Sequence, residues 1–272
     1  MKKERLDVLL VEKGFFDSRE KAKRNIMSGT VFVEGQRSDK AGMKVDQEAS
    51  IEVKGKALPF VSRGGLKLEK AADEFSLDLK NKTCIDIGSS TGGFTDCMLQ
   101  KGAAKVYSID VGYGQLDYRL RQDSRVVVME RTNIRNVTLP DIEEKVDFIS
   151  VDVSFISLKL VLPVAKKLLK DSGSMVVLIK PQFEAGREKV GKNGVIRDPK
   201  IHKEVLIKVL HFINEEEMGI EQLSFSPIKG PKGNMEFLAY LKNKHTPWND
   251  ETVETEVHEI VKHAHQILGK NN

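Results

Sequence analysis

The sequence predicts an α/β protein in which a mostly parallel, doubly wound sheet follows a small N-terminal α+β unit. Two observations carry this prediction. From Thr83 onward, short runs rich in β-branched residues alternate with helical stretches, which is the pattern of parallel strands joined by helical crossovers. Before that point, residues 5–56 contain two helical segments and then two β-like runs. A chain of 272 residues is long enough for one large domain and one small one.

The first unit, residues 5–56, is predicted to be two helices followed by two strands. Apolar residues recur at helical spacing in two segments, Leu6, Leu9 and Leu10, then Ala22, Ile26 and Met27. Asp17 or Ser18 can cap the second helix, because a side-chain oxygen there would accept a free amide hydrogen of the first turn. Ser28 and Gly29 then end that helix, and residues 30–35 and 49–53 follow as strands.

The second unit is predicted to carry seven strands. Five are runs bounded by polar or turn residues, at 83–87, 105–109, 125–129, 146–151 and 174–179. Helical stretches such as 94–102 and 158–170 lie between them. Two further strands, near 220–226 and 235–241, have only a short connection, which suits an antiparallel pair at an edge of the sheet.

The last segment, residues 248–272, predicts one amphipathic helix. Its apolar residues fall at helical spacing, at Val253, Val257, Ile260, Val261, Ala264, Ile267 and Leu268. We therefore expect three segments along the chain, with boundaries at 1–60, 61–245 and 246–272.

The composition is that of an ordinary soluble protein, with 40% apolar and 31% charged residues. A formal net charge of +4 permits a polyanionic partner without requiring one. Cys84, in a predicted strand, and Cys97, in the helix after it, lack metal-ligand spacing, so we expect no metal site and a reducing compartment. No apolar run resembles a signal peptide or the roughly 20 residues of a membrane span, so we expect a cytoplasmic protein.

A glycine-rich turn after the first strand of the sheet indicates a nucleotide-type cofactor. Glycine lets the backbone pass close to a ligand and tolerates positive φ. Asp110, 22 positions after Gly88, ends the second strand, where a carboxylate can accept hydrogen bonds from ribose hydroxyls. Asn133 follows the third strand and is a weaker candidate for the adenine edge, since a lone Asn is as often a turn former. The turn residues that we expect at the cofactor are Asp86, Gly88, Ser89, Ser90, Gly92, Gly93 and Phe94.

The spacing of this turn differs from the Gly-x-Gly-x-x-Gly of a dinucleotide fold, because Ser90 occupies the place of the second glycine. An acidic residue at the position of Asp110 is shared by NAD enzymes and methyltransferases. The turn alone therefore leaves the cofactor class open.

Four charged residues, Lys67, Asp152, Lys180 and Glu236, are predicted to lie at the rim of this pocket. Lys180 ends an apolar strand, and Pro181 holds it in an extended conformation. Asp152 ends the neighbouring strand, so a lysine and a carboxylate should meet beside the cofactor at the carboxyl edge of the sheet. Two lysines and two carboxylates at such a rim indicate chemistry on a hydroxyl group.

The first unit resembles an S4 domain, a small RNA-binding module. Three segments carry the resemblance, the first starting at Arg5-Leu6-Asp7, the second at Ser18-Arg19-Glu20, and the third being the strand of residues 29–35. The resemblance implies that basic residues of the second helix contact RNA phosphates, which supply affinity but little sequence reading. The seven strands with an antiparallel end resemble the fold of methyltransferases that use S-adenosylmethionine.

The chain as a whole resembles the TlyA, or hemolysin A-type, family of ribosomal RNA 2′-O-methyltransferases, with a methyltransferase domain similar to FtsJ. The resemblance covers residues 1–242. Its motifs are Ser62-Arg63-Gly64-Gly65-Leu66-Lys67-Leu68, the turn of residues 86–96, Asp152-Val153-Ser154-Phe155-Ile156-Ser157, Lys180-Pro181-Gln182-Phe183-Glu184 and Gly233-Asn234-Met235-Glu236.

This resemblance implies methyl transfer from S-adenosylmethionine to a ribose 2′-hydroxyl, a cytidine of ribosomal RNA, with Lys67, Asp152, Lys180 and Glu236 as the catalytic tetrad. Ribosomal RNA or ribosomal subunits are the partners, with no membrane and no metal. The expected RNA-binding residues are Arg5, Arg19, Lys21, Lys23, Arg24, Arg63, Arg187, Lys189 and Lys192. The link of residues 57–61 is apolar here, whereas some members have an arginine-containing link, so an interdomain signalling role is not carried over.

Two roles for Lys180 stay open. It either takes the hydroxyl proton as a neutral base, or remains charged and stabilises the developing alkoxide. The stretch of residues 183–194 after it is basic and glycine-spaced, and is either an ordinary loop or one that clamps RNA.

Rival functions are less consistent with these motifs. An amino-nitrogen methyltransferase needs an Asn/Asp-Pro-Pro-aromatic turn where this chain has Asp152-Val153-Ser154-Phe155. A cytosine-C5 enzyme needs a nucleophilic cysteine, and Cys84 is predicted to be buried. The non-enzymatic alternative is an RNA-binding assembly factor that keeps the fold without the activity. A membrane-damaging role follows only from the historical name of the family.

Overall fold

The computed structural model describes residues 3–54, 58–191 and 193–269. Its contacts divide the chain into two compact units, Met1–Arg63 and Gly64–Asn272. Each unit is described by itself.

The first unit contains two helices and short antiparallel strands. The elements are β1 (Lys3–Arg5), α1 (Leu6–Glu12), α2 (Arg19–Ser28), β2 (Val31–Val33), β3 (Gln36–Arg37), β4 (Lys44–Asp46) and β5 (Ile51–Val53). Strand β1 pairs with β4, and β2 lies between β3 and β5. The Ser18 side chain accepts from the Lys21 amide and caps α2, and Gly29, at φ 78°, ends it, as predicted.

The core of this unit is small. Leu6, Leu10, Ala22 and Ile26 are fully buried in it. The spacing of α2 also predicted a buried Met27, and this was wrong, because that side chain is 61% exposed. Position 27 follows Ile26 by one residue and so points away from the face that Ala22 and Ile26 share.

The second unit is a seven-stranded sheet, within the residues described, with helices around it. Its strands are β6 (Thr83–Ile87), β7 (Lys105–Ile109), β8 (Val126–Met129), β9 (Val146–Val151), β10 (Leu169–Ile179), β11 (Gly219–Phe225) and β12 (Phe237–Lys242). Their order in the sheet is β11-β12-β10-β9-β6-β7-β8. The pairs among β6 to β10 are parallel, and β12 runs antiparallel to β10 and β11. This confirms the predicted Rossmann-like fold.

Helices connect these strands. They are α3 (Gly64–Glu74), α4 (Gly93–Gln100), α5 (Tyr118–Gln122), α6 (Leu139–Ile142), α7 (Leu162–Leu168), α8 (Pro181–Glu184), α9 (Pro199–Glu215) and α10 (Asp250–Leu268). Single 3₁₀ turns occur at Ile134–Asn136, Leu158–Leu160 and Arg187–Lys189.

Several elements differ from the prediction. The first unit has three further short strands, β1, β3 and β4, beside the two expected, and several strand and helix ends shift by one or two residues, with the largest difference at β10. The helix expected at 158–170 is a 3₁₀ turn followed by α7, which ends at Leu168, and β10 begins at Leu169 rather than at 174. Asp171-Ser172-Gly173 has the composition of a turn, but the chain continues as an irregular strand with a register shift between Leu169 and Ser174. In α10, Ile267 was expected on the apolar face but is 49% exposed.

The sheet is buried on both faces. On β10, Met175, Val177 and Ile179 pack in one cluster with residues of α7, α9 and α10. Val176 and Leu178 alternate with them and are also buried, so they face the other side. Such continuous apolar strands are typical of a sheet covered on both faces, and each buried side chain contributes about 1.5–3 kcal/mol. Buried polar side chains in these strands, such as Asp86, Ser108 and Ser150, lie toward one end of the sheet.

The strand ends that carry the predicted site residues lie at one edge of the sheet. The parallel strands β6, β7, β9 and β10 all end there. Because β12 runs antiparallel to β10, its first residue, Phe237, lies opposite Ile179, the last residue of β10. Glu236, which precedes β12, is thereby placed beside Lys180, which follows β10.

Candidate active site

The four charged residues predicted from the sequence form one continuous chain of alternating charge, here called the charge chain. Lys180 Nζ lies 2.5 Å from Asp152 Oδ1. Asp152 Oδ2 lies 3.4 Å from Lys67 Nζ, which is 2.7 Å from Glu236 Oε2. Lys67, Lys180 and Glu236 are only 7%, 8% and 1% exposed, so these pairs are largely removed from water.

Local structure explains how Lys180, Asp152 and Lys67 are placed in the charge chain. Lys180 has φ −110° and ψ 101°, the extended conformation that Pro181 imposes. Asp152 follows β9, and its amide donates to the carbonyl of Ile87 at the end of β6. Lys67 comes from α3, on the segment before the sheet.

The electrostatics of the charge chain depend on its neighbours. Burial disfavours charge on Lys67, but the carboxylates of Asp152 and Glu236 outweigh burial and raise the pKa of the Lys67 ammonium above its usual value. Burial also disfavours charge on Asp152, but Lys67 and Lys180 hold the pKa of that carboxyl below its usual range. Both groups are therefore charged at neutral pH.

The segment after Asp152, residues 152–158, is called here the Asp152 loop. Lys180 Nζ donates to Ser154 Oγ at 3.0 Å. Phe155 has φ 64° and is 89% exposed, and its ring lies 4.9 Å from that of Phe183, centroid to centroid. An exposed aromatic ring at the rim of a site is suited to stacking on a nucleic-acid base.

The cofactor turn, residues 88–94, is held tightly against the end of β9. Gly88 has φ 85°, and a Cβ there would overlap the carbonyl oxygen of Asp152. Gly92, at φ 91°, is the N-cap of α4, and a Cβ there would overlap Leu116 and Leu120. Glycine is therefore required at both positions on steric grounds.

The other predicted turn residues surround these glycines. Ser90 also has positive φ, its amide donates to Asp110, and the Ser89 amide donates to the carbonyl of Ile109. Gly93 and Phe94 begin α4 and are buried.

Asp86 lies beneath the turn rather than on its surface. It is fully buried, and its carboxylate accepts from the amide and hydroxyl of Thr95, at 2.9 and 2.7 Å, and from Ser150 Oγ at 3.2 Å. Burial raises the pKa of Asp86 to about 7, against the hydrogen bonds from Thr95. In this arrangement Asp86 shapes the turn, since its hydrogen bonds go to protein groups.

Asp110 and Asn133 lie at the same edge. Asp110 is half-buried and accepts from the amides of Ser90 (2.8 Å) and Gly112 (2.6 Å). A carboxylate has about four lone-pair positions, so it retains capacity for ribose hydroxyls. Asn133 Oδ1 accepts from the Arg135 amide and caps the 3₁₀ turn, so Asn133 acts as a turn former. Its contact with an adenine stays a prediction. The glycines of the cofactor turn and the unused acceptor positions of the half-buried Asp110 fit a nucleoside-type cofactor.

Two predicted RNA-binding arginines are partly committed to a buried carboxylate. Asp7 has no exposed side-chain surface, and it accepts from Arg5 Nε and Arg19 Nη2, both at 3.0 Å. Burial opposes its charge, but these arginines lower the pKa of Asp7 to about 2. Each arginine has five N–H donors and is nearly half exposed, so phosphate contact stays a prediction for both.

The remaining predicted RNA contacts differ in their exposure. Lys21 pairs with Asp17 at 2.5 Å, Lys23 and Arg24 are half-buried on α2, and Arg63 precedes α3. In the loop after Lys180, Lys189 pairs with Glu204 of α9. Lys192 and the side chain of Arg187 lie outside what the structure describes, so their role stays a prediction.

Sequence reasoning missed three polar residues that organise this edge and the first unit, Ser154, Glu184 and Asp7. Ser154 contacts Lys180. Glu184 is buried and accepts from Ser157 and Leu158. The signal that could have found Glu184 is its place one helical turn after Lys180, since that places a carboxylate beside the strand end that carries Lys180.

Other expectations concern cysteines, metals and membranes. Cys84 and Cys97 are free and buried, and burial raises the pKa of each thiol to about 12. Across the described ranges, no three His, Cys, Asp or Glu side chains are grouped so that they could hold a metal ion. Within those same ranges, no helix is both long and apolar enough to span a bilayer.

Comparison with known proteins places this geometry in a family. Residues 60–243 match the FtsJ-like methyltransferase family, and residues 4–51 match the S4 domain. Over 241 residues the chain is 39% identical to the 16S/23S rRNA (cytidine-2′-O)-methyltransferase TlyA of Mycobacterium tuberculosis, covering 88% of this chain and 90% of that protein. The chain belongs to the TlyA family of FtsJ-like methyltransferases.

Two other proteins similar to this TlyA-family chain extend the match. A Bacillus subtilis protein provisionally named the rRNA methyltransferase YqxC is 54% identical over 272 residues, covering 98% of this chain and 96% of YqxC. A solved structure of a Streptococcus thermophilus protein, provisionally named a hemolysin, has a TM-score of 0.79 and 50% identity, covering 100% of this chain and 98% of that one. The TlyA family and fold together imply dependence on S-adenosylmethionine.

Proposed function

We propose that this TlyA-family protein transfers a methyl group from S-adenosylmethionine to the ribose 2′-hydroxyl of a cytidine in ribosomal RNA. The observation that carries the proposal is the charge chain, which brings two lysines and two carboxylates within ion-pair distance at the edge that also bears the cofactor turn. The Mycobacterium tuberculosis relative is named for this reaction. A cytoplasmic location, where ribosomal subunits are found, belongs to the same proposal.

The residues that would hold the cofactor are those of the cofactor turn, with Asp110 at the ribose and Asn133 at the base. When bound, S-adenosylmethionine supplies a methyl group attached to a positively charged sulfur. Asp86 acts indirectly, because it holds Thr95 and Ser150 and so fixes the start of α4. The glycines at 88 and 92 allow the backbone to approach the ligand.

The protein groups align the ribose hydroxyl with the methyl group and assist removal of the hydroxyl proton. A ribose hydroxyl is a poor nucleophile, and holding its oxygen in line with the methyl carbon can supply several kcal/mol. The hydroxyl proton would have to leave during the transfer, either to a neutral Lys180 or to solvent beside a charged Lys180. Asp152 holds Lys180, and Lys67 with Glu236 orients the ribose.

The RNA is held by basic residues that take no part in the methyl transfer. The S4 unit offers Lys21, Lys23 and Arg24 on α2, with Arg5 and Arg19 beside Asp7. The loop of residues 183–194 follows Lys180 directly and is proposed to contact the phosphates next to the target ribose. Exposed Phe155 is suited to stack on a base near the reacting nucleotide.

The test is transfer of labelled methyl from S-adenosylmethionine to purified small and large ribosomal subunits, assayed separately and with free ribosomal RNA, followed by mapping of the modified ribose. Lys180→Ala should abolish transfer while S-adenosylmethionine binding persists. Lys180→Arg separates the two roles of Lys180, because arginine stays protonated in proteins. Retained partial turnover in this variant supports the charged role, and loss supports the base.

Lys145→Ala is the matched control. Lys145 precedes β9, at the opposite edge of the sheet, and its ion pair with Asp171 is exposed, so its removal should leave transfer unchanged. Tight binding of cofactor and RNA with no transfer to either subunit would contradict the proposal and favour the assembly-factor alternative. Normal turnover of Lys180→Ala would remove Lys180 from the mechanism.

A further inference from the structure

The Asp152 loop is held at both of its ends by one short segment, Lys180 to Glu184. At the beginning of the loop, Lys180 Nζ contacts Asp152 Oδ1 at 2.5 Å and Ser154 Oγ at 3.0 Å. At the end of the loop, Glu184 accepts from Ser157 Oγ at 2.7 Å and from the Leu158 amide at 2.8 Å. Lys180 and Glu184 lie at the two ends of α8, one turn apart.

Glu184 uses both carboxylate oxygens for this contact. Its side chain is buried, and burying a carboxylate is unfavourable unless hydrogen bonds replace its water. Burial raises the pKa of Glu184, although the hydrogen bonds from the Leu158 amide and Ser157 and the charges of Lys208 and Lys159 act in the opposite direction. Two hydrogen bonds, from Ser157 and from the Leu158 amide, therefore compensate the buried carboxylate and attach it to the end of the Asp152 loop.

The loop between these two attachments is conformationally strained. Phe155 has φ 64°, a left-handed conformation that a bulky residue adopts at a cost of about 1–2 kcal/mol. Its ring is 89% exposed, so little burial offsets that cost. A strained segment of this kind keeps one conformation only where its surroundings fix it, and here Lys180 and Glu184 fix its two ends.

We propose that Glu184 is a positioning residue for methyl transfer, which fixes the far end of the Asp152 loop so that Asp152 and Ser154 stay within reach of Lys180. Glu184 acts through the loop and does not contact the reacting atoms. The inference rests on the proposed function, because it assigns Glu184 a part in the reaction proposed for Lys180 and Asp152.

The experiment compares Glu184→Ala, Glu184→Gln and Ser157→Ala in the full chain, with labelled methyl transfer to ribosomal subunits as the assay. In Glu184→Ala, kcat should fall by about 10–100-fold, because a misplacement of about 1 Å at a catalytic group has an effect of that size. The KM for S-adenosylmethionine should stay unchanged, since Glu184 lies outside the cofactor turn and its side chain bonds to Ser157 and Leu158.

Glu184→Gln should restore most of kcat. Its amide oxygen can accept from the Leu158 amide, and its amide nitrogen can donate to Ser157 Oγ. Ser157→Ala removes one of the two hydrogen bonds and should lower kcat by several-fold without affecting folding, so it serves as the readout if Glu184→Ala fails to fold. Glu143→Ala is the control, because Glu143 is an exposed, paired carboxylate just before β9, at the opposite edge.

The outcomes separate the inference from the function on which it rests. If the unchanged protein transfers no methyl group to a 2′-oxygen, the proposed function fails. If the unchanged protein is active and Ser157→Ala and Glu184→Ala keep its kcat, the inference is overturned. It is also overturned if kcat and the affinity for S-adenosylmethionine fall together and Gln does not rescue them, because that pattern indicates a purely structural role.

Discussion

Lys67 contacts both carboxylates of the charge chain, Asp152 and Glu236. No more than 16% of either carboxylate side chain is exposed. Removing one partner of a buried ion pair leaves the other charge without compensation, which costs about 3–5 kcal/mol. At the residue scale, Lys67 is thus a requirement for stability as well as a member of the proposed catalytic site.

We predict that Lys67→Met abolishes methyl transfer and lowers the free energy of unfolding by about 3 kcal/mol, measured by urea denaturation. The double variant Lys67→Met with Glu236→Gln should recover part of this stability, because it removes the carboxylate charge that Lys67 compensated, whereas Asp152 keeps its pair with Lys180. Lys101→Met is the control, since Lys101 and Asp73 form a more exposed pair that contributes less than about 1 kcal/mol. An unfolding midpoint unchanged in Lys67→Met would contradict the argument.

The residues of the charge chain could be predicted because each stands at a strand end or inside a motif that the sequence displays. Asp152 and Lys180 follow apolar strands, and the motif around Glu236 completes the set. Glu184 and Asp7 were missed, because part of what holds each of them comes from residues far away along the chain. Their partners Leu158 and Arg19 are distant in sequence. The sequence alone does not distinguish a carboxylate that is exposed to solvent from one that is buried.

At the scale of elements, α9 and α10 pack through a pair of histidines. His202 Nδ1 lies 2.9 Å from His265 Nε2, and the ring of His202 packs edge-on against Phe237 at the start of β12. Burial and the neighbouring His265 lower the pKa of His202 to about 4, and burial also lowers the pKa of His265. Asp198 acts in the opposite direction on both histidines, and Lys229 lowers the pKa of His265 further.

This pair predicts acid sensitivity. His202 is neutral in the folded state and protonates in the unfolded state near pH 6.5, so its contribution to stability is full above about pH 6.5 and is lost as the pH falls toward 4. Urea unfolding at a series of pH values should show a loss of up to about 3 kcal/mol across that range. His202→Leu should flatten this dependence, and His245→Ala, at an exposed histidine, should not. An unchanged slope in His202→Leu would exclude His202 as the cause.

Element boundaries were the weaker part of the prediction from sequence. The order of strands and helices follows from alternating apolar runs, but the start of β10 at Leu169 does not, because Asp171-Ser172-Gly173 favours a turn locally. Pairing of Leu169 with Val146 on β9 outweighs that preference. A tertiary contact of this kind has no local signal.

At the scale of the whole molecule, two units of different character share one chain. The S4 unit carries basic side chains on α2 and has a small core, whereas the second unit carries the charge chain and the cofactor turn. Under the proposed function, contacts of the S4 unit raise the local concentration of RNA for the second unit without taking part in the chemistry.

We predict that Lys21→Ala with Lys23→Ala weakens binding to ribosomal RNA and makes its salt dependence shallower, by about 1 in logarithmic slope for each phosphate that the protein no longer neutralises. Because the chemistry lies elsewhere, kcat at saturating RNA should be unchanged while KM rises. Filter binding at several salt concentrations gives the slope, with Lys145→Ala as the control. A slope equal to that of the unchanged protein would exclude α2 as a phosphate-binding element.

The position of β12 in the sheet has a consequence for biosynthesis. This strand lies between β10 and β11, both of which precede it in the chain, and Glu236 directly precedes it. A ribosome releases the chain from its N-terminus, so Lys67, Asp152 and Lys180 exist long before Glu236 emerges. Lys67 gains its second carboxylate only when β12 inserts between two strands already made. Under the proposed function, an unfinished chain should therefore be unable to modify the RNA of the ribosome that is making it.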